Sequence, residues 1–215
     1  MEKYKILVID DHPEIRYSFP LYELKLREKG FESEFHIVSS IVEFEELTKE
    51  FFDILMVDYN LRNGFFTDGK KSEGTDFIAD FRKNNMINKI IFYSTDFKYN
   101  SNGLSSEVQL DIPKKEYYDL INKYRIDAIV PKDNTEMIVE MIKNCIQNLD
   151  PIIKFLRNTR DKFEQNGDSL YYTVGETEYT ISQLLEEYQK DTEIGKKFGK
   201  ELLETVSTLL LDYRY

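Results

Sequence analysis

At 215 residues, with 41% hydrophobic and 32% charged residues, the chain carries enough apolar material for one full core and a smaller appendage. Only 9 Gly and 5 Pro argue against long disordered tracts, and a formal net charge of −11 argues against a sequence-independent grip on nucleic acid, which depends on Lys and Arg displacing counterions from phosphates. The opening apolar run is too short for the core of a signal peptide, and no later run approaches the ~18 residues needed to span a bilayer, so a cytoplasmic protein is expected.

In chain order, residues 1 to 148 alternate apolar runs suited to buried parallel strands with amphipathic helical stretches. The predicted strands are Lys5 to Ile9, Glu34 to Val38, Asp53 to Val57, Lys89 to Tyr93 and Ala128 to Val130. Helices are predicted around residues 14 to 29, 41 to 50, 74 to 84, 114 to 124 and 134 to 148. Pro20 is awkward inside the first of these, so that helix is either kinked or begins near Ser18. The last has a cap at Asp133 or Asn134 and a stripe of Met137, Ile138, Met141, Ile142, Cys145, Ile146 and Leu149. The single cysteine therefore reads as core rather than as a reactive thiol.

Two connections look enlarged, Arg62 to Glu73 after the third strand and Phe97 to Pro113 after the fourth. Both read as loops at the carboxyl ends of strands, where an open α/β sheet places its site. Asp150-Pro151 breaks the pattern and marks a boundary between residues 1–148 and 151–215.

Beyond Pro151 the pattern predicts a helix carrying Ile152, Ile153, Leu156 and Phe163, a turn at Asn166-Gly167-Asp168, and two short strands, Tyr171 to Val174 and Glu178 to Thr180. Thr180-Ile181-Ser182-Gln183 has capping-box spacing before a helix through Tyr188. A final helix from Asp191 or Thr192 is expected to bury Ile194, Phe198, Leu202, Val206 and Leu210. Gly195-Lys196-Lys197-Phe198-Gly199 has the spacing of close helix packing. This part holds 9 Lys plus Arg against 12 Asp plus Glu, no His, no Cys and no Gly-rich phosphate loop, which leaves a small, mainly helical interaction domain as the expectation. Its Tyr171, Tyr172, Tyr179 and Tyr188 either fill a small core or line a contact surface.

Chemistry concentrates where polar residues end apolar strands: the pair Asp10 and Asp11, then Asp58, then Ser94, then Lys132. In a doubly wound sheet these ends converge on one crevice. Clustered carboxylates there repel unless a hard cation holds them, and Mg²⁺ suits one or two carboxylates with phosphate oxygens. A carboxylate so placed is a nucleophile toward a phosphoryl group, with Lys132 and the Ser94 hydroxyl stabilising the phosphoryl oxygens. His12, beside the acid pair, reads as a surface or helix-start residue in preference to a ligand, because Mg²⁺ favours oxygen.

Four motifs in order, Ile6-Leu7-Val8-Ile9-Asp10-Asp11, Leu55-Met56-Val57-Asp58-Tyr59-Asn60-Leu61, Ile90-Ile91-Phe92-Tyr93-Ser94-Thr95 and Val130-Pro131-Lys132-Asp133, make the first two-thirds of the chain resemble the receiver domain of two-component response regulators. The resemblance implies a flavodoxin-like, five-stranded parallel sheet. It implies phosphorylation on Asp58, Mg²⁺ held by Asp10 or Asp11 with Asp58 and the backbone carbonyl of Asn60, Ser94 and Thr95 at the switch position, and Lys132 on the phosphoryl group. A histidine kinase or phosphotransfer protein is the implied donor. A protein partner or a second copy of the chain would then read the C-terminal domain, with no enzymatic reaction beyond phosphorylation and dephosphorylation of Asp58 itself.

Departures define the competing reading, a phosphate-independent interaction module. Thr95 stands where the family usually has a smaller residue, Ile129 where many receivers carry Tyr or Phe, and Arg62 to Glu73 is inserted beside the site. An aspartyl phosphohydrolase ranks last, because such enzymes want two Asp separated by one residue and here Asp10 and Asp11 are adjacent.

Overall fold

The computed structural model describes residues 3–47, 50–62, 64–67, 71–102, 105–110, 114–165 and 170–212. The chain divides into two compact units, one running to Asn148 without Lys83–Ile87, the other made of that short segment and the residues from Leu149 onward.

The first unit is built on β1 (Lys3–Ile9), β2 (Glu32–Val38), β3 (Ile54–Asp58), β4 (Lys89–Ser94) and, after a two-stranded insertion, β7 (Ala128–Pro131). These five pair in parallel in the order β2-β1-β3-β4-β7, the doubly wound, flavodoxin-like arrangement. Because a strand's side chains alternate, Leu7, Ile9, Leu55, Val57, Ile90 and Phe92 enter one core cluster with Phe77, Ile78 and Leu120, while Ile6, Val8, Ile54, Met56 and Ile91 are buried at the intervening positions. A sheet buried on both faces must be almost continuously apolar, which is why its strands stand out in the sequence.

The helices are α1 (Phe19–Glu28), α2 (Ile41–Leu47), α3 (Gly74–Phe81), α4 (Lys114–Asn122) and α5 (Thr135–Gln147). Pro20 is accommodated as expected of a helix starting near Ser18: residues 13–18 form a 3₁₀ turn, Ser18 is the N-cap, and Pro20 lies in the first turn, where its missing N–H has no intrahelical partner to lose. The chain leaves α1 through Gly30 at φ +88°, a conformation that favours glycine. At α5, Asn134 is the cap, its side chain accepting the Met137 N–H at 3.0 Å. Cys145 is buried in the α5 stripe, and burial pushes its thiol up to about 12.

The two enlarged connections differ: the described residues of Arg62 to Glu73 form turns and bends, as a loop reading expects, whereas the second connection holds strands. Phe97–Asn102 (β5) and Ser105–Leu110 (β6) pair as an antiparallel hairpin, a correction to the expected loop; their polar composition hides a ribbon whose backbone pairs with itself. After β3, Leu61 and Phe65 are buried in the core cluster, and the Phe65 carbonyl accepts the Ile41 N–H at 2.8 Å.

The second unit contains α6 (Pro151–Gln165), a hairpin of β8 (Tyr171–Val174) and β9 (Thr177–Thr180), α7 (Ile181–Gln189) and α8 (Glu193–Asp212). The turn expected at Asn166-Gly167-Asp168 lies outside the described residues. Asp150 caps α6, accepting the N–H groups of Ile152 and Ile153 at 2.8 and 3.2 Å, and also takes the Tyr188 hydroxyl at 3.1 Å. The Thr180/Gln183 capping box is formed. Gly195 is required by close packing, since a Cβ there would lie 2.5 Å from the Glu187 carbonyl oxygen and 2.6 Å from Tyr188 Cα. Tyr172 is half-buried against Phe198, edge to face at 5.0 Å, whereas Tyr171 is exposed. One expectation fails on α8: Phe198 is buried, but Val206 and Leu210 are 44% and 65% exposed, because helical periodicity gives the face of a side chain and not whether a neighbour reaches it. No described helix is long and apolar enough to cross a membrane.

Candidate functional site: an acidic crevice at the strand ends

Strand register brings the chemistry together. Ile9 is level with Val57, Asp58 with Tyr93, and Ser94 with Pro131, so the polar residues that end or follow these strands emerge at one edge of the sheet. The Lys132 N–H donates to the Ser94 carbonyl at 2.9 Å and holds the lysine at the end of β7.

Asp10 and Asp58 are buried, with 0% and 3% of their surface exposed. The Lys132 ammonium bridges them, 2.7 Å from Asp10 Oδ2 and 3.1 Å from Asp58 Oδ2. Burial pushes the Asp58 carboxyl up to about 6; the Lys132 ammonium opposes that rise and the Asp10 carboxylate adds to it. Burial works against the charged form of Lys132 as well, but Asp58 and Asp10 together outweigh it and hold this ammonium above its usual value.

Ligand atoms of Asp10, Asp11, His12 and Asp58 all lie within 4.8 Å of one another. Three carboxylates converging in a buried setting fit a hard divalent cation such as Mg²⁺. His12 is the poorer member: its ring is 56% exposed, and Nδ1 lies 2.7 Å from Asp11 Oδ1. Asn60 donates from Nδ2 to Asp96 Oδ2 at 2.8 Å, while its Oδ1 is buried with no hydrogen-bond partner, an acceptor still to be satisfied.

Ser94 is fully buried, and its hydroxyl oxygen accepts the Asp96 N–H at 3.1 Å. Thr95, next along, is exposed, and Ile129 packs half-buried against the core cluster. Sequence reasoning brought Asp10, Asp11, Asp58, Ser94 and Lys132 to this edge but missed two neighbours. Tyr93 is completely buried and donates its hydroxyl to Asp10 Oδ2 at 2.6 Å. Its signal was a tyrosine in a wholly buried strand, which must find its hydroxyl a partner. Gly74 begins α3 where a Cβ would sit 2.0 Å from the Asp58 carbonyl oxygen, and its N–H donates to the Tyr59 carbonyl at 2.7 Å.

No protein-family model matches the chain, and no curated protein does. Receiver domains of response regulators recur among the solved structures similar to it. A response regulator receiver protein from Pseudomonas putida is 15% identical with a TM-score of 0.45, covering 67% of this chain and 98% of its own. For a two-component response regulator from Clostridium difficile the values are 14%, 0.44, 67% and 97%. The receiver domain of NtrX from Brucella abortus is similar at 13% identity and a TM-score of 0.44, over 66% of this chain and 98% of that domain.

Proposed function

We propose that the first unit is a phosphoacceptor module of the two-component response-regulator kind, with Asp58 as the nucleophile. The observation that carries this reading is the buried Asp58 carboxylate, 3.1 Å from the Lys132 ammonium, in an acidic crevice at the carboxyl ends of parallel strands.

In the proposed reaction an oxygen of ionised Asp58 attacks the phosphorus of a phosphohistidine or an acyl phosphate. The new P–O bond makes a mixed anhydride, and the bond to the donor's nitrogen or oxygen breaks with its electron pair. Lys132 turns from a carboxylate partner into a partner for the phosphoryl oxygens, and the Ser94 hydroxyl supplies a further donor beside them. Mg²⁺ held by the acidic residues would neutralise charge on the transferring group. The donor would be a histidine kinase or phosphotransfer protein in the cytoplasm. Beyond forming and losing this phosphate, the chain would catalyse no reaction of its own. The second unit would pass the change to a protein partner, since its 9 Lys plus Arg against 12 Asp plus Glu do not make it a basic nucleic-acid-binding arm.

The test is intact-protein mass after incubation with acetyl phosphate and Mg²⁺. A gain of one phosphoryl group in the wild type and none in Asp58→Asn supports the reading; equal gain in both sinks the assignment. One observation favours a phosphate-independent interaction module, namely that Asp58 is only 3% exposed. Absence of labelling in the wild type would transfer the proposal to that module.

A further inference from the structure

Helix α8 is packed along its first half and bare along its second. Phe198 and Gly199 are buried, and a Cβ on Gly199 would stand 2.8 Å from Tyr188 Cε2. Beyond them Leu203, Val206, Leu209, Leu210 and Leu211 are all exposed, and residues 205–211 carry no charge. Leu203, Val206 and Leu210 recur at the i, i+3, i+7 spacing by which one helix presents an apolar face to another.

A groove of about 830 Å³ runs beside this face, lined along α8 from Lys196 to Leu211 and, from the rest of the second unit, by Ile87, Ile152 and Tyr188. That stretch of α8 is roughly 22 Å long, about four turns, so the groove has the length of a second helix. Charge selects which helix. Apart from Glu193 at its start, α8 is segregated by sign: Lys196, Lys197 and Lys200 precede Glu201, Glu204 and Asp212. The three lysine side chains are more than half exposed, and their ion pairs within the chain are long, 3.5 to 3.9 Å. A second α8 laid antiparallel in the groove brings its acidic half and its negative C-terminal turn beside these lysines, and two-fold symmetry repeats the match. Parallel pairing would set lysine against lysine.

We propose that two copies of the chain associate through α8, antiparallel, the apolar second half of each helix lying in the groove beside the lysine-bearing first half of the other. The inference goes beyond the phosphoacceptor reading and does not depend on it.

Sedimentation equilibrium of the full unphosphorylated chain at low salt, from micromolar to submillimolar concentration, tests it. Wild type should pass from monomer to dimer as concentration rises, and by mass action dilute protein keeps the end of α8 bare. Val206→Asp puts an unpaired acid from each copy into the seam and should weaken the dimer on the order of a hundredfold or more, with the melting temperature of dilute protein unchanged. The double reversal Lys196→Glu with Lys200→Glu should weaken it several-fold, because acid then meets acid; it alters only exposed side chains and serves where Val206→Asp folds poorly. A wild type that stays monomeric throughout overturns the proposal and leaves the stripe to a different protein. A dimer indifferent to Val206→Asp overturns it by placing the contact elsewhere. A dimer lost in Val206→Asp but unmoved by the lysine reversals overturns the antiparallel, charge-matched pairing.

Discussion

Lys132 Nζ lies 3.1 Å from Asp58 Oδ2 while keeping a closer contact, 2.7 Å, with Asp10 Oδ2, so two buried carboxylates share a single ammonium. Removing one partner of a buried charge cluster is costly because the remainder stays desolvated and unpaired. Lys132→Met should therefore destabilise the metal-free protein by roughly 3 kcal/mol in urea unfolding at pH 8. Added Mg²⁺ should recover part of that loss in the variant, since a divalent cation supplies the missing charge. A Lys132→Met protein as stable as wild type in chelator would mean that the carboxylates are solvated and not dependent on the lysine.

Asp58 should behave as a residue that function keeps at the expense of stability. Its carboxyl is raised to about 6 from 3.8, chiefly by burial, so the folded state holds this proton more tightly than the unfolded chain does. Stability linked to it is present in full below about pH 4 and lost as pH rises through about 6, amounting to on the order of 3 kcal/mol. Asp58→Asn removes the buried charge. In EDTA the variant should melt higher than wild type at pH 8, and the gap should shrink as pH falls from 7 to 4.5. A constant gap across that range would assign the difference to something other than this carboxyl.

Much of this site was legible because a parallel sheet must be apolar to its ends, so a polar residue just after such a run declares itself. Asp10, Asp58, Ser94 and Lys132 all sit at those ends. Tyr93 was not legible as chemistry because within Ile90-Ile91-Phe92-Tyr93 an aromatic reads as packing, and only the three-dimensional approach of Asp10 gives its hydroxyl a role. Gly74 was illegible for the opposite reason: it contributes by lacking atoms, and no spacing rule shows which backbone will come near. The β5–β6 hairpin was hidden by Lys98, Asn100, Ser101 and Asn102, residues of loop-like polarity whose backbone nonetheless pairs.

Gly74→Ala asks whether the close approach of α3 to the end of β3 matters. The added Cβ would stand 2.0 Å from the Asp58 carbonyl oxygen and 3.0 Å from Phe92 Cε2, so the backbone of one element must move. Overpacking of this kind costs about 1–3 kcal/mol. Because the atom struck belongs to Asp58 itself, labelling by acetyl phosphate should fall along with the melting temperature. Unchanged melting and unchanged labelling together would show that α3 can slide away without penalty.

Cys145 should be chemically silent in the folded protein. The thiolate is the reactive form, and burial pushes this thiol up to about 12, so almost none of it is ionised at pH 8. Iodoacetamide at pH 8 should label Cys145 only after denaturant is added. The same shift makes the native state retain a proton that the unfolded chain sheds near pH 9. Its contribution to stability is therefore complete below about pH 9 and fades towards pH 12, and Cys145→Ala should lack that component of alkaline destabilisation. Labelling of the native protein as fast as a free thiol would contradict the burial.

The α8 helix separates what a pattern encodes from what packing delivers. Phe198 and Leu210 fall on the same predicted apolar stripe, yet Phe198 is 1% exposed and stacked edge to face on Tyr172, whereas Leu210 is 65% exposed. Deleting a buried aromatic removes its transfer free energy and leaves a cavity, typically about 3–5 kcal/mol, while surface substitutions away from special features stay within about 0.5 kcal/mol. Phe198→Ala should therefore accelerate proteolytic cleavage within residues 151–212, and Leu210→Ala should not. The comparison is sharp because both changes shorten an apolar side chain on one helix and neither alters charge. Equal sensitivity to the two substitutions would mean that the end of α8 is covered in solution, and the sequence pattern would then be the better guide to burial there.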